Sequence, residues 1–302
     1  MQFLKKPFAW AIFYGTILTL FATFVILDTF VIVKAYEKVD QGVSQTTPTP
    51  APEEEIQFIN TDSEYRDQNI HITLTEYREN NTTIYVADVV LSSAEYLKTA
   101  FANSTYGRNV KAKTSEMAKQ TNAILAINGD YYGARNGGYV IRQGVLYRNT
   151  KNGSTQQDLC IWGDGSFSIV KESQVTAQQL LDQGAVQVLS FGPGLLDNGE
   201  IIVGVKDEVD QAMANNPRTA IVWFGDLHYA LVVSDGRTNE SKGLTLYEMA
   251  TFLQGLGAKC AYNLDGGGSS TMVFNGKLIN KPTTDGRKIS ERSVSDIVYI
   301  GY

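Results

Sequence analysis

Residues 245–270 read TLYEMATFLQGLGAKCAYNLDGGGSS. Thr245 with Glu248 makes a capping box, and Leu246, Met249, Ala250, Leu253 and Leu256 form one apolar stripe, so a helix is expected until Gly257 ends it. The chain passes from that helix into an apolar strand, Ala261 to Leu264. Three consecutive glycines then follow the carboxylate of Asp265. Glycine adopts positive φ without steric cost, and successive backbone N–H groups in such a turn converge into a concavity that accepts anionic oxygens. A plain tight turn or bulge would also use this composition.

Outward from this stretch, strands dominate. Ile70 to Thr75 and Thr83 to Val89 alternate in the manner of a hairpin that turns at Glu79-Asn80-Asn81. Thr219 to Phe224 and Tyr229 to Ser234 make a second hairpin, turning at Gly225-Asp226. Thr114 to Asn122 is a short helix feeding a buried strand, Ala123 to Ile127. Thr176 with Gln179 caps another short helix, stopped by Gly184, and the last strand is Asp296 to Ile300. The class is α+β, a strand-rich mixed sheet core with a few helices. No internal repeat or second linker is visible, so about 245 residues from Ile56 to Tyr302 form one domain.

The N-terminal part reads differently. Phe8 to Leu27 carries no charge and would rise ~30 Å as a helix, the thickness of a bilayer core. One N-terminal transmembrane helix is expected within residues 1–39, behind a cytoplasmic stub. Lys5 and Lys6 precede it, which favours an N-inside orientation with the C-terminal domain outside the cell. A cleaved signal peptide competes with this reading, but the apolar run is long and no small-x-small site follows it cleanly. Residues 40–55, DQGVSQTTPTPAPEEE, suit an extended tether.

The formal charge of −6 excludes a general nucleic-acid binder, which needs a basic excess to displace counterions. Two histidines, His71 and His228, give little material for a zinc site or a Ser-His-Asp engine. Cys160 and Cys260 are read as buried thiols in preference to a disulfide. Oligomeric state is not legible.

Polar clusters follow strands or lie in loops beside them: Asn128-Gly129-Asp130, Asn216 to Thr219, Asp235-Gly236-Arg237, Asn263 to Ser270 and Glu291-Arg292-Ser293. Functional side chains gather where rigid strands give way to loops, so one convergent pocket is expected. Arg218, Arg237 and Arg292 offer planar forks of donors suited to phosphate, with Gly266, Gly267 and Gly268 holding further oxygens. Each arginine taken singly could equally pair with a surface acid. Asp265, Glu291, Asp235 and Asp130 are the available acids, bases or nucleophiles, and carboxylate pairs are what glycosidic cleavage uses. Asn128, Asn263 and Ser269 complete the candidate binding set. Tyr131, Tyr132, Tyr139 and Trp162 are candidate sugar platforms, whereas Trp223 suits core packing. The chain is read without a cofactor; Asn128, Asp130 and Asp265 could suit Ca²⁺ or Mg²⁺, yet EF-hand spacing is missing.

In this order, Ala126-Ile127-Asn128-Gly129-Asp130-Tyr131-Tyr132, Ser190-Phe191-Gly192-Pro193, Asn216-Pro217-Arg218-Thr219-Ala220, Asp235-Gly236-Arg237, Leu256-Gly257-Ala258, Asn263 to Ser270 and Glu291-Arg292-Ser293-Val294 resemble the phosphodiester glycosidase family. The resemblance spans roughly Ile70 to Tyr302. It implies hydrolysis of a sugar joined through its anomeric carbon to a phosphodiester, with bacterial members tied to exopolysaccharide. It also marks Asn128, Arg218, Asp235, Asp265, Gly266, Gly267, Gly268, Ser269 and Arg292 as pocket positions. Asp130 departs from the family pattern, where a small residue often stands. The expected protein is a membrane-anchored extracytoplasmic hydrolase acting on glycosyl-phosphate or polysaccharide material of the cell envelope. The alternatives are a non-catalytic polysaccharide-binding module and a glycosyl transferase using the same pocket.

Overall fold

The computed structural model describes residues 9–30, 57–208 and 215–302, with side chains of the first helix described over 13–25. The chain divides into two units, Met1–Glu54 and Glu55–Tyr302. In the first, Ala9–Phe30 is helical, and Thr19 and Thr23 donate their hydroxyls to backbone carbonyls four residues earlier, at 2.8 Å each. Phe13, Leu18, Phe21 and Phe24 are exposed. Among the described residues no helix is long and apolar enough to cross a membrane. The tether expected over 40–55 and the stub before Ala9 lie outside the described residues.

The second unit is built from three sheets. The largest has nine strands, in spatial order Ile59–Asn60, Glu64–Arg66, Ile70–Glu79, Thr82–Leu91, His228–Ser234, Arg218–Gly225, Cys260–Leu264, Gly194–Asp197 and Glu200–Ile201. A second sheet runs Lys277–Leu278, Met272–Phe274, Leu125–Asn128, Asp296–Ile300 and Leu97–Phe101. The third orders Phe167–Lys171, Gln157–Trp162, Ala185–Leu189, Val140–Arg142 and Val145–Arg148. Both expected hairpins form. Asn80 and Asn81 adopt φ of 48° and 56°, the left-handed pair that lets a two-residue turn follow the twist of its strands.

Alternation along the strands decides which face meets which core. Ile84, Val86, Val222 and Val232 point to the cluster that takes in Leu246, Met249, Ala250 and Leu253 of the helix Leu246–Gly255. Tyr85, Ala87, Ile221 and Leu231 point to the opposite face, where Leu125, Ile127, Leu264 and Val298 join them in the largest core cluster. Both capping boxes form, on Thr245 with Glu248 and on Thr176 with Gln179. Cys160 and Cys260 are buried and free, and burial pushes both thiols up to about 12. Tyr132 and Tyr139 are core residues, and Trp162 packs against the third sheet's helix cluster, so none of the three is a sugar platform.

Register brings the functional loops to one end of the large sheet. Arg218 stands opposite Ser234 and Thr219 opposite Leu264, so Arg218, Asp235 and Asp265 all leave the sheet at the same edge.

A buried ion group joins the second and third sheets. Arg142 Nη2 donates to Asp130 Oδ2 at 3.0 Å and to Asp296 Oδ2 at 2.8 Å, all three side chains being cut off from solvent. Asp130 also accepts from the N–H groups of Tyr132 and Ser190. That bonding makes Asp130 a strut, which corrects its candidacy as a catalytic acid. Burial and the charge of Asp130 push Asp296 up to about 7, against the pull of Arg142. The folded chain therefore holds a proton that the unfolded chain releases, and stability falls as pH rises from about 4 to about 7. Asp296→Asn is expected to flatten that fall, measured as melting temperature at pH 4, 5.5 and 7.5. An equal slope in variant and wild type would remove Asp296 as its source.

Candidate functional site

Asp265 lies at the mouth of the sheet edge, 7% exposed. Its backbone is fixed from both sides: the N–H donates to Gly129 O at 3.2 Å, and Asn128 Nδ2 donates to Asp265 O at 2.6 Å. Asn128 Oδ1 in turn accepts from Thr219 Oγ1 and the Thr271 N–H. Asn128 is thus a buried brace for the acid. The Asp265 carboxylate is held more loosely: Oδ2 is buried without a hydrogen-bond partner and lies 3.6 Å from Arg292 Nη2. Burial raises its pKa above the ordinary carboxylate value, opposed by Arg292, a hydrogen bond from Ser269, Arg135 and the Gly266 N–H.

The glycine turn is tight because protein backs it closely. A Cβ at Gly266 would lie 2.9 Å from Pro217 O, one at Gly268 2.2 Å from Thr284 Oγ1, and Gly267 takes φ +61° against Arg237. Gly267 N–H donates to Pro217 O, while Ser269 and Ser270 N–H close a short 3-10 turn. Those three N–H groups are consumed internally and are closed to an anionic ligand, and the Gly266 N–H acts on Asp265. The turn serves as a platform for guanidinium groups.

Two arginines lean on that platform. Arg292 donates Nε to Ser269 Oγ at 2.9 Å and Nη2 to Gly266 O at 3.2 Å, with its side chain 41% exposed. Arg237 is gripped by Asn216 Oδ1 through Nε and Nη2 and by Thr284 O through Nη1. Its pKa is lowered first by burial and then by the charges of Arg292 and Arg218, which places three cations within each other's field. Arg218 is buried, donating Nε to Leu244 O at 2.8 Å and pairing with Glu208 Oε2 at 2.6 Å.

The expected partners for Asp265 are engaged elsewhere. Glu291 accepts from Ser115 N–H and Oγ, capping the helix Thr114–Gln120, whose N-cap residue Lys113 supplies no side-chain cap. Asp235 accepts from the Lys281 N–H at 2.8 Å and faces a cavity of about 400 Å³ shared with Glu240 and Lys281. Asn280, which donates to Ser270 O, stands between Asp235 and the glycine turn. Neither carboxylate is joined to Asp265 as a catalytic pair. Asn263 is buried, donating to Gly192 O at 2.8 Å.

Two groups that sequence reasoning missed belong here: Glu208, through Arg218, and Arg135, which stands 4.9 Å over the Phe191 ring and acts on Asp265. A cation in the polar run Gly133-Ala134-Arg135-Asn136-Gly137 was the available signal for the second. Among the described residues no group of three His, Cys, Asp or Glu side chains could hold a metal ion. The oxygen set of Asn128, Asp130 and Asp265 does not come together as ligands, because Asp130 serves Arg142 and Asn128 serves Thr219 and Thr271.

Residues 121–301 match the family model described as phosphodiester glycosidase. The chain is 31% identical over 206 residues to the SPbeta prophage-derived uncharacterized protein YomE of Bacillus subtilis, covering 66% of this chain and 31% of that protein. It is 29% identical over 210 residues to N-acetylglucosamine-1-phosphodiester alpha-N-acetylglucosaminidase of Mus musculus, covering 63% and 40% respectively. The aligned regions thus span only about a third to two fifths of these curated relatives' length. Among solved structures, the catalytic domain of the zebrafish N-acetylglucosamine-1-phosphodiester alpha-N-acetylglucosaminidase, auto-inhibited by its pro-peptide, superposes with a TM-score of 0.61 at 23% identity. That superposition covers 77% of this chain and 83% of the zebrafish chain. A hypothetical protein from Synechocystis gives a TM-score of 0.55 at 16% identity, covering 77% and 62%. These two likenesses concern the fold.

Proposed function

The chain belongs to the phosphodiester glycosidase family, and from that premise we propose that it hydrolyses the bond between a sugar's anomeric carbon and a phosphodiester. The observation that carries this reading is the buried Asp265 carboxylate, with one oxygen free of hydrogen bonds, 3.6 Å from Arg292 on a turn that Arg237 also touches. An acid and phosphate-binding forks on one rigid turn suit a glycosyl phosphate.

The chemistry also accounts for a single engaged carboxylate. Ordinary glycosidases need a second one because the leaving alkoxide must be protonated. A phosphate leaves as a stable anion, so guanidinium charge can take the place of the proton donor. Arg292 and Arg237 hold the phosphate, with Arg218 set behind them and tied to Glu208. Asp265 in its charged form takes a proton from water as the water oxygen bonds to C1 and the C1–O(phosphate) bond breaks. The products are the free sugar and a phosphomonoester. A carboxylate with a raised pKa is the stronger base for this step.

The same reading places the enzyme at the outer face of a cell membrane, acting on envelope or exopolysaccharide material. Its support is the sequence alone, the uncharged run Phe8 to Leu27 behind Lys5 and Lys6, since among the described residues no helix is long and apolar enough to cross a membrane. The test uses intact cells carrying the full chain and a panel of sugar 1-phosphodiesters that do not cross membranes, with and without chelator. Released sugar and phosphomonoester in equal amounts are expected, unchanged by chelator. Turnover only after lysis would overturn the location. Sugar found only on an acceptor would overturn hydrolysis in favour of transfer, and binding without any product would leave a polysaccharide-binding module.

A further inference from the structure

A single phosphodiester carries one negative charge, and in the reaction scheme above Arg292 and Arg237 already face it. The surface beside them is more basic than that charge requires. Residues 108–113 and 281–292 together hold seven Lys or Arg against two Asp or Glu, in a chain whose formal charge is −6. Both acids bond elsewhere: Glu291 accepts from Ser115, and Asp285 Oδ1 accepts from the N–H groups of Arg287 and Lys288 at 2.9 and 3.3 Å. Lys113 pairs with Glu116 at 3.8 Å and Lys281 with Glu240 at 2.7 Å. Arg108, Lys111, Arg287 and Lys288 are exposed and form no ion pair among the described residues.

The fold sets these four cations on either side of Arg292. Residues 282–290 form a loop closed by the Ser290 N–H, which donates to Pro282 O at 2.8 Å. The loop is seated on the glycine turn and on Arg237. Arg237 Nη1 donates to Thr284 O at 2.6 Å, a Cβ on Gly268 would strike Thr284, and one on Gly286 would strike Arg237 O. Arg287 and Lys288 lie on its exposed side.

On the other side, residues 108–113 form a strap beside the segment that carries Arg292. Ala112 and Val294 exchange both backbone bonds, at 3.0 and 2.8 Å, and the Asn109 N–H donates to Gly133 O at 3.1 Å. Side chains alternate along such a strap, so the burial of Ala112 leaves Lys111 outside. The Arg292 N–H donates to Gly268 O at 3.3 Å, which puts the glycine turn and its loop against one end of this segment and the strap against the other. Arg292, 3.6 Å from Asp265, thus stands between two basic ridges.

We infer that these ridges bind further phosphates of the substrate, which is an anionic polymer of sugars joined by phosphodiesters and is cut beside Arg292. This rests on the hydrolase reading and narrows it. Each phosphate bound at a ridge releases counter-ions, so the grip tightens as salt falls. An anionic membrane would also meet four cations. A chain that is acidic overall is repelled by a broad sheet of like charge, whereas a single strand can follow the basic band outward from Arg292.

The experiment compares full-chain wild type with one variant carrying Arg108→Gln, Lys111→Gln, Arg287→Gln and Lys288→Gln. Two substrates of the same sugar are used: its methyl 1-phosphodiester, and a short oligomer joined by the same linkage. In wild type at low salt, kcat/KM per scissile bond should be at least about tenfold higher for the oligomer, through a lower KM, and the advantage should shrink at high salt. In the variant the ratio of the two kcat/KM values should fall at least about fivefold.

Equal kcat/KM for both substrates in wild type overturns the polymer, and decides the matter even if the variant does not fold. A ratio that the variant leaves untouched overturns the ridges. Sedimentation with phosphatidylglycerol and phosphatidylcholine vesicles tests the membrane. An anionic preference that the variant loses, with the oligomer's advantage intact, makes the ridges a membrane contact and overturns the proposal. Titration with linear inorganic polyphosphate separates the two readings. Polyphosphate binding that the variant weakens, without turnover of either substrate, keeps the polyanion surface and removes the hydrolase. Turnover of the methyl diester without any advantage for the oligomer keeps the hydrolase and removes the polymer.

Discussion

Asp265→Asn is expected to release sugar from a sugar 1-phosphodiester roughly 10²–10⁴-fold more slowly than wild type, the usual contribution of a positioned acid or base. The fold should survive, because the backbone at 265 is held by Gly129 and Asn128 rather than through the side chain. Its melting temperature should not fall at neutral pH. Burial disfavours the charged carboxylate, and a neutral amide removes that cost. The pH profile gives a second readout. As a base, Asp265 must be ionised, so wild-type activity is lost as pH falls through its raised pKa. An activity that instead falls as pH rises through that value would make Asp265 a proton donor and reverse the proposed role. Near-normal turnover in the amide variant would remove Asp265 from the chemistry altogether.

Arg142→Met should produce the largest loss of stability. It leaves Asp130 and Asp296 buried together with no cation between them. Breaking such a group typically costs about 3–5 kcal/mol, against a total stability of roughly 5–15 kcal/mol for a domain. At about 2–4 °C per kcal/mol for a domain of this size, the melting temperature should drop by roughly 10 °C. The loss should shrink at pH 5, where the orphaned carboxyls can take up protons, and in the background of Asp130→Asn with Asp296→Asn. Equal melting temperatures for Arg142→Met and wild type at pH 8 would refute the strut.

The parts of this fold legible in the sequence are those set by neighbours along the chain. Thr245 with Glu248, the Asn80-Asn81 turn and the Thr219 hairpin each carry their own local signal, and each formed. Arg218, Asp235 and Asp265 also reach one edge of the large sheet, because their strand register follows from the same alternation. What stayed hidden was which oxygen each carboxylate spends on protein. Asp130 and Asp265 look alike in sequence, both closing an apolar strand beside glycine. Only the fold shows that Asp130 meets Arg142 and that the equally polar Glu291 caps a helix 176 positions away in the chain. One hint was available: Arg142 ends the apolar run Tyr139-Val140-Ile141, where a cation can be buried only against an acid.

The strand Asp296–Ile300 fills the gap between Leu125–Asn128 and Leu97–Phe101, although it follows both by well over a hundred residues. On the ribosome those earlier segments emerge first, with their inward edges unmatched and the guanidinium of Arg142 lacking one of its two counter-ions. The second sheet can close only once residue 300 has cleared the exit tunnel. Until then the unmatched strand edges form an aggregation-prone surface.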